Sequence, residues 1–196
     1  VTRTVTASTR SSLLTGLTNG TRYQIEVRAL NATGAGAART SNLVIPKPPP
    51  PPHGFVDVPA AAYFDQPARW LTAEKITTGV GGTNRFQPDA GVTRGQMATF
   101  LWRLIGSPTG YPAHGFVDVP AGAYYDQAVR WLKAAGITTG VGGSNRYEPD
   151  QVVTRGEMAA FLWRLVKKPT GYPDDRFVDV ATGSFYEPAV RWLKAT

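Results

Sequence analysis

The chain copies itself. Phe55-Val56-Asp57-Val58 returns as Phe116-Val117-Asp118-Val119 and again as Phe177-Val178-Asp179-Val180, in gapless steps of 61 residues. Trp70, Trp131 and Trp192 keep that step, and so do Arg94 and Arg155. Near-identical units of this length are supersecondary modules that bury their apolar faces against one another. The step divides the chain into a first copy at 53–113, a second at 114–174 and a third at 175–196, which stops just after its first helix.

Each copy reads as helix, loop, helix. In the second, Tyr125, Ala128, Val129 and Leu132 fall at i, i+3, i+4 and i+7, one apolar helix face. Phe64, Pro67, Ala68 and Leu71 hold those positions in the first copy, and Tyr186, Ala189, Val190 and Leu193 in the third. Pro67 and Pro188 are tolerable only in a first turn, which fixes where this helix starts. Gly136 is a natural C-terminal stop, and Lys75 replaces it in the first copy. The glycine-rich loop from Gly79 to Asp89 recurs from Gly140 to Asp150. It reads as a tight connection that tucks Phe86 or Tyr147 into the core. A phosphate-cradling loop would need a following Lys-Ser/Thr and a strand before it, and this sequence has neither. Thr93-Arg94-Gly95-Gln96 and Thr154-Arg155-Gly156-Glu157 have capping-box spacing and open the second helix. Met97, Phe100, Leu101 and Leu104, matched by Met158, Phe161, Leu162 and Leu165, form its core stripe.

Residues 1–45 differ from everything after them. Tyr23, Ile25, Val27 and Ala29 alternate with Arg22, Gln24, Glu26 and Arg28, the period of a half-buried strand. Ser11 to Leu14 reads as a shorter strand before the Thr18-Asn19-Gly20 turn. Residues 31–36 form a loop, and Ser41 to Ile45 return as a last strand. The segment Leu17 to Tyr23, followed by Val27-Arg28-Ala29 and Asn31, resembles the second half of a fibronectin type III domain. The resemblance implies that Tyr23 is the corner tyrosine of the sandwich. It covers about half of the ~100 residues such a sandwich needs, so an open sheet of low stability is expected. Residues 46–52 read as a polyproline II spacer on the order of 20 Å long.

The chain is 42% hydrophobic and 18% charged, which marks it as folded rather than disordered. It has no cysteine, which excludes disulfides and thiolate metal sites. Its net charge of +7 favours anionic partners. Yet Arg69, Arg85, Arg94 and Arg103 recur once per structural position instead of forming a stripe, which argues against nucleic acid. No apolar run is long enough to span a bilayer. The chain starts at Val1 without an initiator Met, so a preceding segment is expected.

The second-helix start is the most informative candidate site. Arg94 and Arg155 stand beside free backbone N–H groups and the positive end of the helix dipole. Gly95 and Gly156 would let a ligand approach that backbone closely. Such a place suits a carboxylate or phosphate. The other reading has Arg94 paired internally with an acid such as Asp57. The two are compatible, because a guanidinium has donors to spare.

Phe-Val-Asp-Val, the Arg-Trp-Leu helix, Gly136 to Gly140 and Val153 to Glu157 together resemble S-layer homology repeats, from about Gly54 to the C-terminus. The resemblance implies a mainly α fold, helix-loop-helix repeats in a pseudo-threefold bundle, with the partial all-β segment ahead of it. It further implies grooves between repeats that bind an anionic, often pyruvylated, secondary cell-wall polysaccharide outside a bacterial cell. By position, Arg94 and Arg155, with Thr93 and Thr154, would hold the acidic group. Asp57, Asp118 and Asp179 with Trp70, Trp131 and Trp192 would shape the groove walls. Gly79 and Gly140 would allow close backbone approach. Gly95 and Gly156 replace the alanine of the family pattern, and Gln96 replaces its glutamate. The third Thr-Arg motif is absent, so a three-groove prism cannot close with these residues.

The expected role is non-catalytic anchoring, with no cofactor and no metal. The alternative is an accessory region of a secreted glycosidase or protease whose catalytic domain lies elsewhere. His53 and His114 occupy equivalent loop positions and read as duplicated solvent-edge linker. Carboxylates such as Asp57 and Asp89 have no fixed spacing for glycoside chemistry, and no loop has the carboxylate density of a calcium site.

Overall fold

The computed structural model describes residues 2–6, 12, 14–47, 50–174 and 177–196. The expected strand at Ser11 to Leu14 and the proline spacer lie partly outside these residues. The chain forms two compact units, Val1–Pro51 and Pro52–Thr196.

In the first unit the alternating segment pairs with the returning one. Tyr23 and Val44 exchange both backbone hydrogen bonds at 2.8 Å. Strand β1 (Glu26–Val27) runs antiparallel to β4 (Arg39–Thr40). The segment expected as a plain loop contains a small hairpin, β2 (Leu30–Asn31) on β3 (Gly34–Ala35), whose turn is tightened by the Thr33 N–H donating to Asn31 Oδ1 at 3.0 Å. Tyr23 and Ile25 are half-buried, but Val27, Leu30 and Leu43 are exposed. That is how one face of a sheet looks without a second sheet on it.

The second unit has five helices among its described residues: α1 (Asp65–Ala73), α2 (Arg94–Leu104), α3 (Asp126–Ala134), α4 (Arg155–Leu165) and α5 (Glu187–Ala195). The three first helices begin within the turn that the prolines allow. Gly136 takes a left-handed φ of 68° after α3, and Lys75 takes 58° at the same place after α1, at some cost for a residue with a Cβ. Both capping boxes are formed: Thr93 Oγ1 accepts from the Gln96 N–H while Gln96 Oε1 accepts from the Thr93 N–H, and Thr154 and Glu157 do the same.

The main packing runs across the repeat boundary. α2 packs on α3, and α4 packs on α5, so each second helix belongs to the core of the next copy. One apolar cluster joins Met97 and Leu101 of α2 to Phe116, Val129, Trp131, Leu132, Ile137 and Tyr147 of the second copy, and to Phe161 of α4. Phe55, Val58 and Ala68 form a separate small cluster in the first copy. The equivalent tryptophans record the difference: Trp131 is 5% exposed and Trp70 is 43% exposed. No described helix packs on α1 as α2 packs on α3.

Candidate functional site

The conserved spacing of Asp57 and Asp118 has a local explanation. Asp57 Oδ1 accepts from the Phe86 N–H at 2.8 Å and Oδ2 from the Gln87 N–H at 2.9 Å. Asp118 holds the Tyr147 and Glu148 amides at 2.8 and 2.9 Å. Each carboxylate clamps the far end of its own glycine-rich loop. For Asp57 the Phe86 amide leads in holding the carboxyl below its usual pKa. For Asp118 burial pushes upward, and the Tyr147 and Glu148 amides outweigh it. In the third copy Asp179 is exposed.

Gly79 and Gly140 close that same loop. They adopt φ of 91° and 100°, and a Cβ on either would lie 2.2 Å from the carbonyl oxygen of Thr83 or Ser144. The close backbone approach made by these glycines is therefore to their own loop.

The two arginines, equivalent by sequence, sit in different places. Arg94 is 5% exposed. Its Nε donates to the Tyr147 carbonyl at 2.7 Å and its Nη1 to Glu157 Oε1 at 2.8 Å. The guanidinium lies 5.0 Å from the Tyr147 ring centroid and 5.4 Å from that of Phe161, and Tyr147 returns its hydroxyl to the Arg94 carbonyl at 2.9 Å. The helix-start amides are used as well: Arg94 N–H donates to Gln151 O and Gly95 N–H to Pro149 O, both at 2.8 Å. The internal partner of Arg94 is thus Glu157 of the next copy, and Asp57 is committed to its loop. Fully buried Tyr147, its hydroxyl pKa pushed upward chiefly by burial, is the floor of this joint.

Arg155 is exposed, as is Thr154. Among the described residues nothing pairs with its guanidinium, and no carbonyl receives the N–H of Arg155 or Gly156. Gly95 and Gly156 face aromatic rings: a Cβ on either would lie 2.7 Å from Cδ1 of Tyr125 or Tyr186. Trp70 and Trp131 stand on α1 and α3, on the faces described above.

His53 and His114 correct the sequence reading of solvent-edge linker. Their side chains are 8% exposed and stack on Phe55 and Phe116 at 5.3 and 5.6 Å. Nδ1 accepts the backbone N–H of Phe55 or Phe116 at 2.8 or 2.9 Å. Nε2 faces Asp65 Oδ1 at 3.1 Å or Asp126 Oδ1 at 3.4 Å, and those carboxylates bind Arg69 and Arg130 one turn on. Both ring nitrogens are thus engaged within the fold. The signal was present in the His-x-Phe spacing and the Asp-x-x-x-Arg pair, but linking them required the fold. The roles of Trp102 and Trp163 have no signal in the local sequence. Their indole N–H groups donate to the Pro108 and Pro169 carbonyls at 2.7 and 2.8 Å and tie each second helix to the segment leading into the next copy.

Among the described residues no group of His, Cys, Asp and Glu could hold a metal ion. No described helix is long and apolar enough to cross a membrane.

Comparison with known proteins adds the family. Residues 54–98 and 115–159 match the S-layer homology domain, one match in each complete copy. An S-layer protein of Bacillus thuringiensis subsp. finitimus is 28% identical over 131 residues, and the S-layer protein sap of Bacillus anthracis 27% over 131 residues. Each alignment covers 65% of this chain and 16% of the relative. An amylopullulanase of Thermoanaerobacterium thermosulfurigenes is 30% identical over 105 residues, 54% of this chain and 6% of that enzyme. The chain therefore spans only a small part of each of these relatives. It carries two S-layer homology repeats, a non-catalytic type of cell-wall anchoring module, and such repeats place it at the cell surface.

Proposed function

We propose that these two S-layer homology repeats hold their protein non-covalently on a bacterial cell wall by binding an anionic, pyruvylated secondary wall polysaccharide. The observation that carries this reading is the pair of S-layer homology matches at 54–98 and 115–159, and Arg155 is its candidate residue, a guanidinium at a capped helix start beside backbone N–H groups that no described carbonyl receives. A carboxylate there would gain a charge-assisted pair and the favourable end of the helix dipole. Thr154 and Gly156 complete that site. Arg94, with Thr93 and Gly95, serves by keeping the first joint in shape, and Asp57, Asp118, Gly79 and Gly140 by holding the loops beside it. Trp70 and Trp131 belong to the helix faces that frame the repeats, and the third copy continues them toward a pseudo-threefold bundle.

The first unit fits the second half of a fibronectin type III-like sandwich. The Thr18 N–H donates to the Tyr23 hydroxyl at 2.9 Å, the bond a corner tyrosine makes to backbone a few residues upstream. The amylopullulanase match favours a second reading for the protein as a whole, in which this anchor serves a secreted polysaccharide-degrading enzyme.

The test is co-sedimentation with purified bacterial wall sacculi, intact and stripped of secondary polymer by hydrofluoric acid. Binding to intact sacculi only, lost in Arg155→Ala, is the expected result. Equal binding to both kinds of sacculi would overturn the polymer assignment.

A further inference from the structure

The positive charge of this chain is unevenly placed. The first unit, Val1–Pro51, holds six Lys and Arg against Glu26 alone, a net +5, and the second holds 15 against 13 acids, a net +2. The second unit also uses many of its cations inside the fold. Arg69, Arg94, Arg130 and Arg191 are held by carboxylates, and Arg103 and Arg164 give Nη1 to the Ile76 and Ile137 carbonyls at 3.1 Å. In the first unit Arg28 pairs with Glu26, the one acid present. Arg22, Arg39 and Lys47 are exposed, and among the described residues no hydrogen bond or ion pair engages their charged groups.

The strand register decides where these cations stand. β1 faces β4 with Val27 opposite Arg39, and Arg28 follows Val27 in the chain. At the other end Tyr23 pairs with Val44, and the Gly20 N–H donates to the Pro46 carbonyl at 2.9 Å. Arg22 and Lys47 flank those contacts. Two pairs of cations are thus held at opposite ends of a two-stranded ribbon. The five steps from Arg22 to Val27 separate them by roughly 17 Å at the rise of a strand. That exceeds the Debye length, about 10 Å at about 0.1 M salt. A single small anion therefore meets one end only, whereas a linear polyanion reaches both.

We propose that the first unit is an electrostatic attachment surface, along which an acidic wall polysaccharide lies across Arg22, Lys47, Arg28 and Arg39. Binding of this kind draws its strength from released counterions and needs spaced cations rather than a pocket. An exposed ribbon with few acids supplies them. The S-layer homology repeats place the chain at the cell surface, which selects a wall polymer over nucleic acid as the polyanion it meets. The inference rests on the wall-polymer reading and adds a contact outside the repeats: a diffuse one on the ribbon beside the defined one at Arg155.

The experiment is quantitative co-sedimentation of the full chain with intact sacculi at about 50 mM and about 200 mM salt. It compares the parent, Arg155→Ala and a four-site variant carrying Arg22→Gln, Arg28→Gln, Arg39→Gln and Lys47→Gln. Urea unfolding of each variant reports its folding. The four-site variant should bind about tenfold more weakly than the parent at the lower salt. The gap should narrow to about threefold at the higher, because the contacts removed are the salt-sensitive ones. Arg155→Ala should lose affinity at both. A folded four-site variant that binds like the parent, while Arg155→Ala is weakened, overturns the ribbon surface and leaves anchoring intact. An equal loss at both salt concentrations overturns it too, since that marks a lost shape rather than lost charge. A parent that binds duplex DNA more tightly than sacculi overturns the choice of partner, and one that sediments with no sacculi overturns the anchoring reading itself.

Discussion

Glu157 holds Arg94 from 63 residues away. Its Oε1 accepts from Arg94 Nη1 at 2.8 Å while its Oε2 accepts from the Thr154 N–H at 2.9 Å. One carboxylate thus caps its own helix and grips the arginine that opens the preceding one. The residue in its place one copy earlier is Gln96, and the position 61 residues before Arg94 is Thr33, in the other unit. Gln96 has no arginine to hold and needs only to cap. The amide in place of the glutamate of the family pattern is therefore sufficient for this geometry.

Glu157→Gln should accordingly cost more than a surface change. The cap survives, but Arg94 keeps its buried charge beside a neutral acceptor. A loss of about 2 kcal/mol is expected from urea unfolding, in the range for a hydrogen bond involving a charged partner. Gln96→Glu, the reverse exchange at the unpaired position, should stay within about 0.5 kcal/mol.

The two arginines should separate by phenotype. Arg94→Ala removes one partner of a buried pair and strands Glu157 and the Tyr147 carbonyl, so about 3 kcal/mol of stability should be lost. Arg155→Ala touches an exposed side chain and should leave the unfolding midpoint where it was, since exposed substitutions away from such features cost little. Unfolding curves with comparable losses for both would show that the joint is not where the burial puts it.

Much of this fold was legible in the sequence, and the part that was not has a single cause. Periodicity located the helices, Thr-x-x-Gln/Glu gave the caps, and the repeat gave the modules, because each of those signals is local. Arg94 and Arg155 look alike locally; what sets Arg94 apart is the approach of Tyr147 and Glu157, residues more than 50 positions away in the chain. Likewise His114 reads as solvent-edge linker, and only the approach of Asp126 and the Phe116 amide makes it a buried clasp. Sequence spacing shows what a residue is; its burial depends on the neighbour it docks against.

The glycines at the second-helix start give a test with an unusual sign. Gly to Ala within a helix is normally worth about 1 kcal/mol in favour of Ala. At Gly95 the added Cβ would sit 2.7 Å from the Tyr125 ring, so overpacking should dominate. Gly95→Ala is expected to lose about 1 kcal/mol net, and the same change in a Tyr125→Ala background should gain stability. A double-mutant cycle by urea unfolding reads the coupling directly. Additive effects would show that the ring is free to move aside.

Acid should open the His114 clasp. Burial leads in pushing its pKa below the ordinary histidine value of 6.5, and Arg130 adds to it, while Asp126 and Asp118 pull the other way without prevailing. The geometry agrees, since Nδ1 accepts the Phe116 N–H and a proton on that nitrogen would set two N–H groups against each other. A histidine with a depressed folded-state pKa binds its proton more readily in the unfolded chain. Its contribution is complete above about pH 6.5 and declines as pH falls through the lower, folded-state value. Thermal unfolding from pH 7.5 to 5 should therefore show falling stability, and the slope should flatten in His114→Gln, whose side chain does not titrate. A slope unchanged by that substitution would assign the acid sensitivity to the carboxylates, Asp126 first among them, whose pKa is lowered chiefly by its hydrogen bonds with Arg130.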